Sequence, residues 1–174
     1  MSELPLPTPP EKLFAMLERQ GIAYKLYHHA ASFTVAESEH LKHDIPGLHC
    51  RNLFVRDKKE RMFLITLGND THVDLKGLEK LLGCGRLSFG SPERLWRYLG
   101  VRPGHVCPFA VINDKDNKVV SVIDKAMIEA ETVAVHPMEN HMTISLKPAD
   151  LLNFLELCGH TAHITDLTQA APEG

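Results

Sequence analysis

The sequence predicts an α/β fold: one domain in which helices pack on a mixed, largely antiparallel sheet. Three observations lead to this prediction. The chain has 174 residues, of which 44% are hydrophobic and 24% charged, as in an ordinary folded domain. Strand-like runs occur in pairs joined by short polar turns, which is typical of hairpins. Single helical segments separate these pairs, and this mixture is typical of helices packed on one sheet.

The domain boundaries follow from proline content and from the ends of the periodic segments. Residues 1–9 are expected to form a disordered lead-in, residues 10–168 the folded domain and residues 169–174 a flexible tail. The first residues lack a basic region followed by an apolar stretch, so they predict no secretory signal. No apolar run approaches the ~20 residues that cross a bilayer, so no membrane partner is expected. A cytoplasmic location is therefore expected.

Helix and strand signals alternate along the first part of the chain. Pro10 suits the first turn of a helix with one apolar face, and Gly21 ends that helix. A short strand is predicted over residues 22–27. Residues 34–37 have the form of a capping box, which predicts the start of a second helix.

A β-hairpin is predicted next. Its strands run from Cys50 to Arg56 and from Arg61 to Leu67, and polar residues 57–60 form its turn. The tip carries a basic cluster made of Arg56, Lys58, Lys59 and Arg61. Such a cluster is usually a solvated turn, but phosphate contacts of this kind also position a nucleic acid without reading its sequence.

The second half of the chain continues the same alternation. Asp74 is predicted to cap a helix, and Ser91 opens another that ends at Gly100. A last helix begins near Pro148 and stops at Gly159. Four further strands are predicted over residues 106–112, 118–123, 132–135 and 142–145.

Four short blocks lie across the central ninety residues: Cys50–Phe54, Gly85–Gly90, Gly104–Pro108 and His136–Asn140. In this order and with these gaps they resemble the YbaK/ProX family of free-standing editing deacylases. That family hydrolyses the ester of a wrongly charged aminoacyl-tRNA. The resemblance extends from about Leu13 to Asp166. It is strongest to the alanyl-tRNA(Pro) deacylases, which are similar to the editing domain of some bacterial prolyl-tRNA synthetases.

The resemblance implies catalytic roles for Arg51, Asn52, His136 and Gly104. The family usually has Lys-Asn where this chain has Arg51-Asn52. A lysine can lose its proton when buried, whereas the planar arginine fork stays charged and suits bidentate phosphate or carbonyl contacts. Arg51 is therefore expected to hold the terminal phosphate of the tRNA or to polarise the ester, and not to transfer a proton.

The resemblance also implies a small aminoacyl pocket shaped by the loop that contains Gly104. The backbone amides of this loop are expected to face the substrate ester and to stabilise the developing oxyanion. His136 is expected at the mouth of the pocket, where it positions the terminal ribose or the attacking water. Further substrate contacts are expected from Pro108, Cys107, Asn140, Phe33 and Thr34.

No cofactor, metal ion or nucleophile–base pair is expected. The cysteines are far apart and have no C-x-x-C spacing, so buried reduced thiols are the expected state. The pairs His40-x-x-His43 and His160-x-x-His163 lack a third ligand at useful spacing. Hydrolysis would then depend on water, positioning and oxyanion stabilisation.

The expected partner is the acceptor end of a tRNA, tRNA(Pro), with transient contact to prolyl-tRNA synthetase or an elongation factor. Because the net charge is −3, a nucleic acid would bind through local basic patches. One such patch is the hairpin tip, and a second is formed by Arg94, Arg97 and Arg102.

The expected function is trans-editing hydrolysis of Ala-tRNA(Pro). A pocket too small for proline would act as a second sieve for smaller residues. Two alternatives stay open. One is a non-catalytic tRNA-binding or regulatory module of the same fold, which the arginine at position 51 favours. The other is a deacylase for tRNA charged with Ser, Thr or Cys.

Overall fold

Helices and strands alternate through the computed structural model, which describes residues 4–31 and 44–172. The α-helices are α1 (Pro10–Arg19), α2 (Leu75–Leu82), α3 (Pro92–Leu99), α4 (Lys125–Glu129) and α5 (Pro148–Leu157). The strands are β1 (Lys25–His28), β2 (Leu48–Arg56), β3 (Met62–Gly68), β4 (Ser88–Phe89), β5 (Val119–Asp124), β6 (Val133–Val135), β7 (Met142–Leu146) and β8 (His163–Thr165). Two 3₁₀-helices cover Pro108–Asn113 and Leu167–Ala170. In the described ranges, no helix has both the length and the apolar character to span a bilayer.

The strands form one mixed sheet in the order β1-β7-β6-β2-β3-β5-β8, and β4 also pairs with β2. Four pairings are antiparallel: β1–β7, β6–β7, β2–β3 and β2–β4. The pairings β2–β6, β3–β5 and β5–β8 are parallel. The predicted α/β fold, with a largely antiparallel sheet and packed helices, is confirmed.

Strand β2 shares one of its edges between two short partners. Its first residues, Leu48 and His49, pair with β6, whereas Val55 and Arg56 at its other end pair with β4. This register leaves residues 50–53 between the two partners. The sheet therefore splits beside the Arg51-Asn52 pair.

Helices cover both faces of the sheet. Successive residues of β2 point to opposite sides, so each face contributes apolar side chains to its own core. Phe54 belongs to a core that includes Leu13 of α1, Leu99 of α3 and Phe154 of α5. Val55 belongs to a second core, which α2 and the 3₁₀-helix Leu167–Ala170 cover. The two faces thus carry different helices.

The local signals for the hairpin and for the helix ends are confirmed. Cys50 pairs with Gly68 and the register continues to the end of β2. Asp74 accepts a hydrogen bond from Gly77 N at 2.7 Å, which is the predicted N-cap of α2. Ser91 caps α3 in the same way, and Gly100 ends that helix in the left-handed conformation.

The predicted strand over residues 106–112 is wrong. Cys107 is extended, but Pro108 then begins the 3₁₀-helix Pro108–Asn113. Proline has no N–H to donate to a sheet ladder and suits the first position of a helix, so the chain turns at this point. Strand β1 begins later than predicted, at Lys25. The helix predicted from residues 34–37 lies outside the described residues.

Both ends of the described chain pack against the domain. Thr8 is buried and donates to Asn113 Oδ1 at 2.7 Å. Ala170 is also buried, and its carbonyl accepts from Asp74 N. A Cβ atom at Gly77 would lie 2.3 Å from that carbonyl oxygen, so the last turn passes directly over α2. The packed part of the chain therefore begins before residue 10 and continues past residue 168.

Candidate active site

Two of the sequence blocks meet where the sheet splits. Strands β2 and β6 are parallel, with Leu48 opposite Val133 and His49 opposite Ala134. Continuing this register by two residues places His136 level with Arg51. Asn52, the next residue of β2, points to the other face of the sheet and contacts the loop that contains Gly104.

The guanidinium of Arg51 binds the backbone of its own protein. Nη1 donates to the carbonyl oxygens of Gly68 at 3.1 Å and Asn69 at 3.4 Å, and Nη2 donates to that of Thr71 at 2.7 Å. Burial lowers the pKa of Arg51 from its ordinary value, and the nearby carboxylate of Asp124 opposes that shift. Arg51 therefore fixes the segment between β3 and α2, a role that its sequence context did not predict.

Asp124 binds the same segment between β3 and α2. Its buried carboxylate accepts from Gly68 N at 3.1 Å and from the Thr71 hydroxyl at 2.6 Å. Its other oxygen accepts from Ala126 N and so caps α4. Arg51 and Asp124 thus both hold one short loop, through Gly68 and Thr71. Sequence reasoning missed Asp124 and Thr71 because only the parallel pairing of β3 with β5 brings them together.

Two asparagines hold the loop that carries Gly104. Asn52 Nδ2 donates to the Val106 carbonyl at 3.1 Å, while its Oδ1 accepts from the Thr66 hydroxyl at 2.7 Å. Asn140 is buried, and its Nδ2 donates to the Gly104 carbonyl at 3.3 Å. Both predicted site residues therefore shape the loop through its carbonyl groups.

These contacts orient the peptide groups of the loop. In a trans peptide, the carbonyl and the following N–H point to opposite sides of the chain. The Cys107 N–H therefore points away from Asn52. The His105 N–H is used internally, since it donates to Arg102 O at 3.0 Å. Gly104 has φ +84°, a conformation that favours glycine and lets the loop turn here.

His105 is a site residue that sequence reasoning did not single out. Its Nδ1 accepts from Asn140 N at 3.2 Å, so the neutral ring carries its proton on Nε2. Glu139 Oε2 lies 3.5 Å from the same nitrogen, and Arg102 lies 3.6 Å from Glu139 Oε1. Burial lowers the pKa of His105 below its ordinary 6.5, although Glu139 opposes this shift. The ring is therefore neutral at pH 7.

His136 lies near three further histidines. Its Nδ1 lies 2.8 Å from the Met142 carbonyl oxygen and donates to it, which leaves Nε2 as a hydrogen-bond acceptor. Burial lowers the pKa of His136 below 6.5, and nearby His29, His105 and His49 add to this shift. The His29 and His136 rings lie 6.2 Å apart. A neutral imidazole with one free acceptor nitrogen can orient a hydroxyl group or a water molecule.

Cys107 and Pro108, at the end of the loop, are buried. The Cys107 thiol lies 3.6 Å from Met138 Sδ, and Met138 is itself buried with φ +74°. Burial raises the pKa of Cys107 to about 12 and that of Cys50 to about 12. Both thiols are therefore protonated at neutral pH and do not act as nucleophiles.

The hairpin tip is less basic than the sequence suggested. Asp57 accepts from Arg61 Nε at 2.8 Å and from the backbone of Lys59 and Arg61. Glu60 lies 3.5 Å from Arg56 and 2.6 Å from Arg94. Two carboxylates thus offset part of the charge, and the exposed Lys58 and Lys59 keep theirs. That tRNA binds at this tip stays a prediction.

Other sequence predictions fall outside this centre. Phe33 and Thr34 lie outside the described residues. The block Gly85–Gly90 lies around β4, where a Cβ atom at Gly90 would lie 2.4 Å from the Phe54 ring, so this block supports the far end of β2. Within residues 4–31 and 44–172, no three His, Cys, Asp or Glu side chains are grouped to hold a metal ion.

Comparison with known sequences identifies the class of protein. A model of the aminoacyl-tRNA editing domain matches residues 29–154, which include Arg51, the Gly104 loop and His136. The chain therefore belongs to the aminoacyl-tRNA editing domain family, and the predicted enzyme class, an aminoacyl-tRNA deacylase, is confirmed at this level. Independence from metal ions stays a prediction.

Individual relatives cover nearly the whole chain. The prolyl-tRNA editing protein ProX of Acetoanaerobium sticklandii is 35% identical over 158 residues, which cover 90% of this chain and 96% of that protein. A prolyl-tRNA synthetase associated domain-containing protein 1 from Danio rerio is 35% identical, and the match covers 87% of this chain and 83% of that one.

Solved structures share the fold. One, described as a candidate trans-editing enzyme for prolyl-tRNA synthetase, has a TM-score of 0.66 and 19% identity, and covers 92% of this chain and 98% of that one. At this level of identity the likeness concerns the fold alone. It agrees with the mixed sheet described above.

Proposed function

We propose that this protein hydrolyses mischarged aminoacyl-tRNA in trans, and that its substrate is Ala-tRNA(Pro). The observation that carries the proposal is the family match across Arg51, the Gly104 loop and His136. A relative that covers 90% of the chain is itself named a prolyl-tRNA editing protein, which supports tRNA(Pro) as the tRNA. The protein would act after the synthetase has released its product.

The geometry supports water-mediated ester hydrolysis. In this reaction, water loses a proton as it adds to the ester carbonyl, the oxyanion collapses, the bond to the ribose oxygen breaks and that oxygen takes up a proton. Nε2 of His136 would accept a hydrogen bond from the attacking water or from the ribose hydroxyl. A backbone amide of the loop held by Asn52 and Asn140 would stabilise the oxyanion. Arg51 would act as a positioning residue through the 68–71 segment.

The choice of alanine rests on the sieve argument. One methylene group in an apolar pocket changes selectivity about 10-fold to 200-fold, and proline is larger than alanine by two carbon atoms. Buried side chains lie at and beside the loop, among them Cys107, Pro108 and Met138. A pocket bounded by such close-packed side chains would resist expansion around a larger residue.

The test is a panel of tRNA(Pro) charged separately with Ala, Pro, Ser, Thr and Cys. Release of alanine should exceed release of proline by at least about tenfold. The matched control is His136→Ala, which should slow the release of alanine while the fold is retained. If Ser, Thr or Cys is released faster than alanine, the preferred substrate is tRNA charged with that amino acid. Binding of tRNA without release of any amino acid would identify the non-catalytic module instead.

A further inference from the structure

A second cleft, of about 360 Å³, opens between α1, the C-terminal half of α3 and the 3₁₀-helix Pro108–Asn113. Lys12, Arg97 and Lys115 line it, and no carboxylate is among the described residues of its lining. Trp96 and Met16 contribute apolar wall. This combination of positive charge and aromatic surface is typical of sites that hold a nucleic acid strand.

The three cations have no carboxylate partner in the part of the chain that the structure describes. By contrast, Arg94 pairs with Glu60 at 2.6 Å and Arg102 lies 3.6 Å from Glu139. The Arg97 guanidinium lies 5.2 Å from the centre of the Tyr98 ring, a contact that leaves its charge in place. Three like charges around one concave surface repel each other, and a polyanion removes that repulsion.

The cleft lies close to the active site loop. Gly100 lines the cleft, and Gly104 follows four residues later, at most about 14 Å along the chain. Arg102 connects the two, because its guanidinium lies 5.5 Å from the Trp96 ring centre and also near Glu139 beside His105. A chain molecule whose end reaches the loop can therefore extend into the cleft.

We propose that this cleft binds a phosphate-bearing segment of the tRNA, away from the aminoacyl end. The proposal rests on the proposed function, which makes tRNA the substrate. The phosphates would lie against Lys12, Arg97 and Lys115, and a sugar or base would pack on the wall that Trp96 forms. A free nucleotide carries the same chemistry, so the experiment must separate the two sources.

Trp96 is the only tryptophan in the chain, so tryptophan fluorescence reports on this cleft directly. Uncharged tRNA(Pro) and AMP are titrated separately into the full-length protein. Two triple variants are compared, a cleft variant (Lys12→Ala, Arg97→Ala, Lys115→Ala) and a control variant (Lys76→Ala, Arg86→Ala, Lys147→Ala). Both lose three positive charges, and the control residues are exposed and lie outside the cleft lining.

The tRNA should change Trp96 fluorescence in the wild-type protein. In the cleft variant its Kd should rise at least about tenfold at low salt, and the slope of log Kd against log salt should fall by about 2 as phosphate contacts are lost. The control variant should bind within about threefold of the wild type. In deacylation assays the cleft variant should show a raised KM with little change in kcat.

Two results would overturn the proposal. The first is equal weakening of tRNA binding in both variants, because general charge would then explain the effect. The second is saturable binding of AMP together with unchanged tRNA affinity in the cleft variant, which would make this a site for a free nucleotide. The titration does not depend on hydrolysis, so a wild-type protein that binds tRNA but releases no amino acid would contradict the proposed function alone.

Discussion

Nη2 of Arg51 lies 2.7 Å from the carbonyl oxygen of Thr71, and the hydroxyl of Thr71 lies 2.6 Å from Asp124. Thr71 is therefore held from both sides, by an arginine through its backbone and by a carboxylate through its side chain. The family usually has lysine where this chain has Arg51. A lysine ammonium is a single donor centre, whereas the planar arginine fork reaches several carbonyl oxygens at once.

Replacing Arg51 with alanine should loosen the 68–71 segment. The change removes the hydrogen bonds to Gly68, Asn69 and Thr71, so the free energy of unfolding should fall by about 2 kcal/mol. We expect kcat/KM for deacylation to fall at least about tenfold. Arg51→Lys should lose less stability than Arg51→Ala. Urea titration measures stability, and exposed Arg86→Ala is the control; equal stability of the alanine variant and the wild type would contradict the proposed contact.

The pH dependence of activity should follow the neutral form of His136. Because burial lowers its pKa below 6.5, the ring stays neutral as the pH falls to that value and gains a proton only at lower pH. The enzymatic part of kcat/KM should therefore be level above pH 6.5 and fall below it, as Nε2 loses its acceptor role. Any rate that remains in His136→Ala should lack this inflection. Exposed His163→Ala serves as the control and should keep the wild-type profile.

Activity should depend on neither metal ions nor cysteine. Cys107 is fully buried and its pKa is raised to about 12, so iodoacetamide should not modify it in the native protein. Cys107→Ala should keep part of the deacylation rate, and a chelator should have no effect. The measurements are mass spectrometry after alkylation and initial rates with and without chelator. Loss of all activity with chelator, reversed by added metal, would show that a metal site exists.

A buried hydrogen-bond network away from the active site should control stability. Asp114 accepts from Val119 N at 2.7 Å and Lys118 N at 3.0 Å, and its carboxylate lies 3.1 Å from His160 Nε2. Asp114→Ala leaves these donors without a partner, so we expect a loss of about 3 kcal/mol. Exposed Asp116→Ala should stay within about 0.5 kcal/mol of the wild type. Thermal unfolding tests both.

Much of the fold was determined by local chemistry that can be read from the sequence. The caps of Asp74 and Ser91, the glycine at position 100 and the hairpin between β2 and β3 depend on residues close together in the chain. The strand predicted over residues 106–112 was wrong because a short apolar run fits a strand or a buried helical turn equally well.

The candidate active site could likewise be predicted only in part from the sequence. The four blocks indicated Arg51, Asn52, His136 and the Gly104 loop, but the sequence did not show what each side chain contacts. Arg51 meets carbonyl groups up to 20 residues away. Asn52 and the Val106 carbonyl are 54 residues apart.

The cleft between α1 and α3 shows the same limit. The sequence grouped Arg97 with Arg94 and Arg102, its neighbours in the chain, whereas the structure pairs those two with carboxylates and places Arg97 with Lys12 and Lys115. Local hydrogen bonds and caps depend on neighbouring residues, so the sequence by itself determined them. Charge pairing and shared surfaces depend on distances across the fold, and only the tertiary structure decided those.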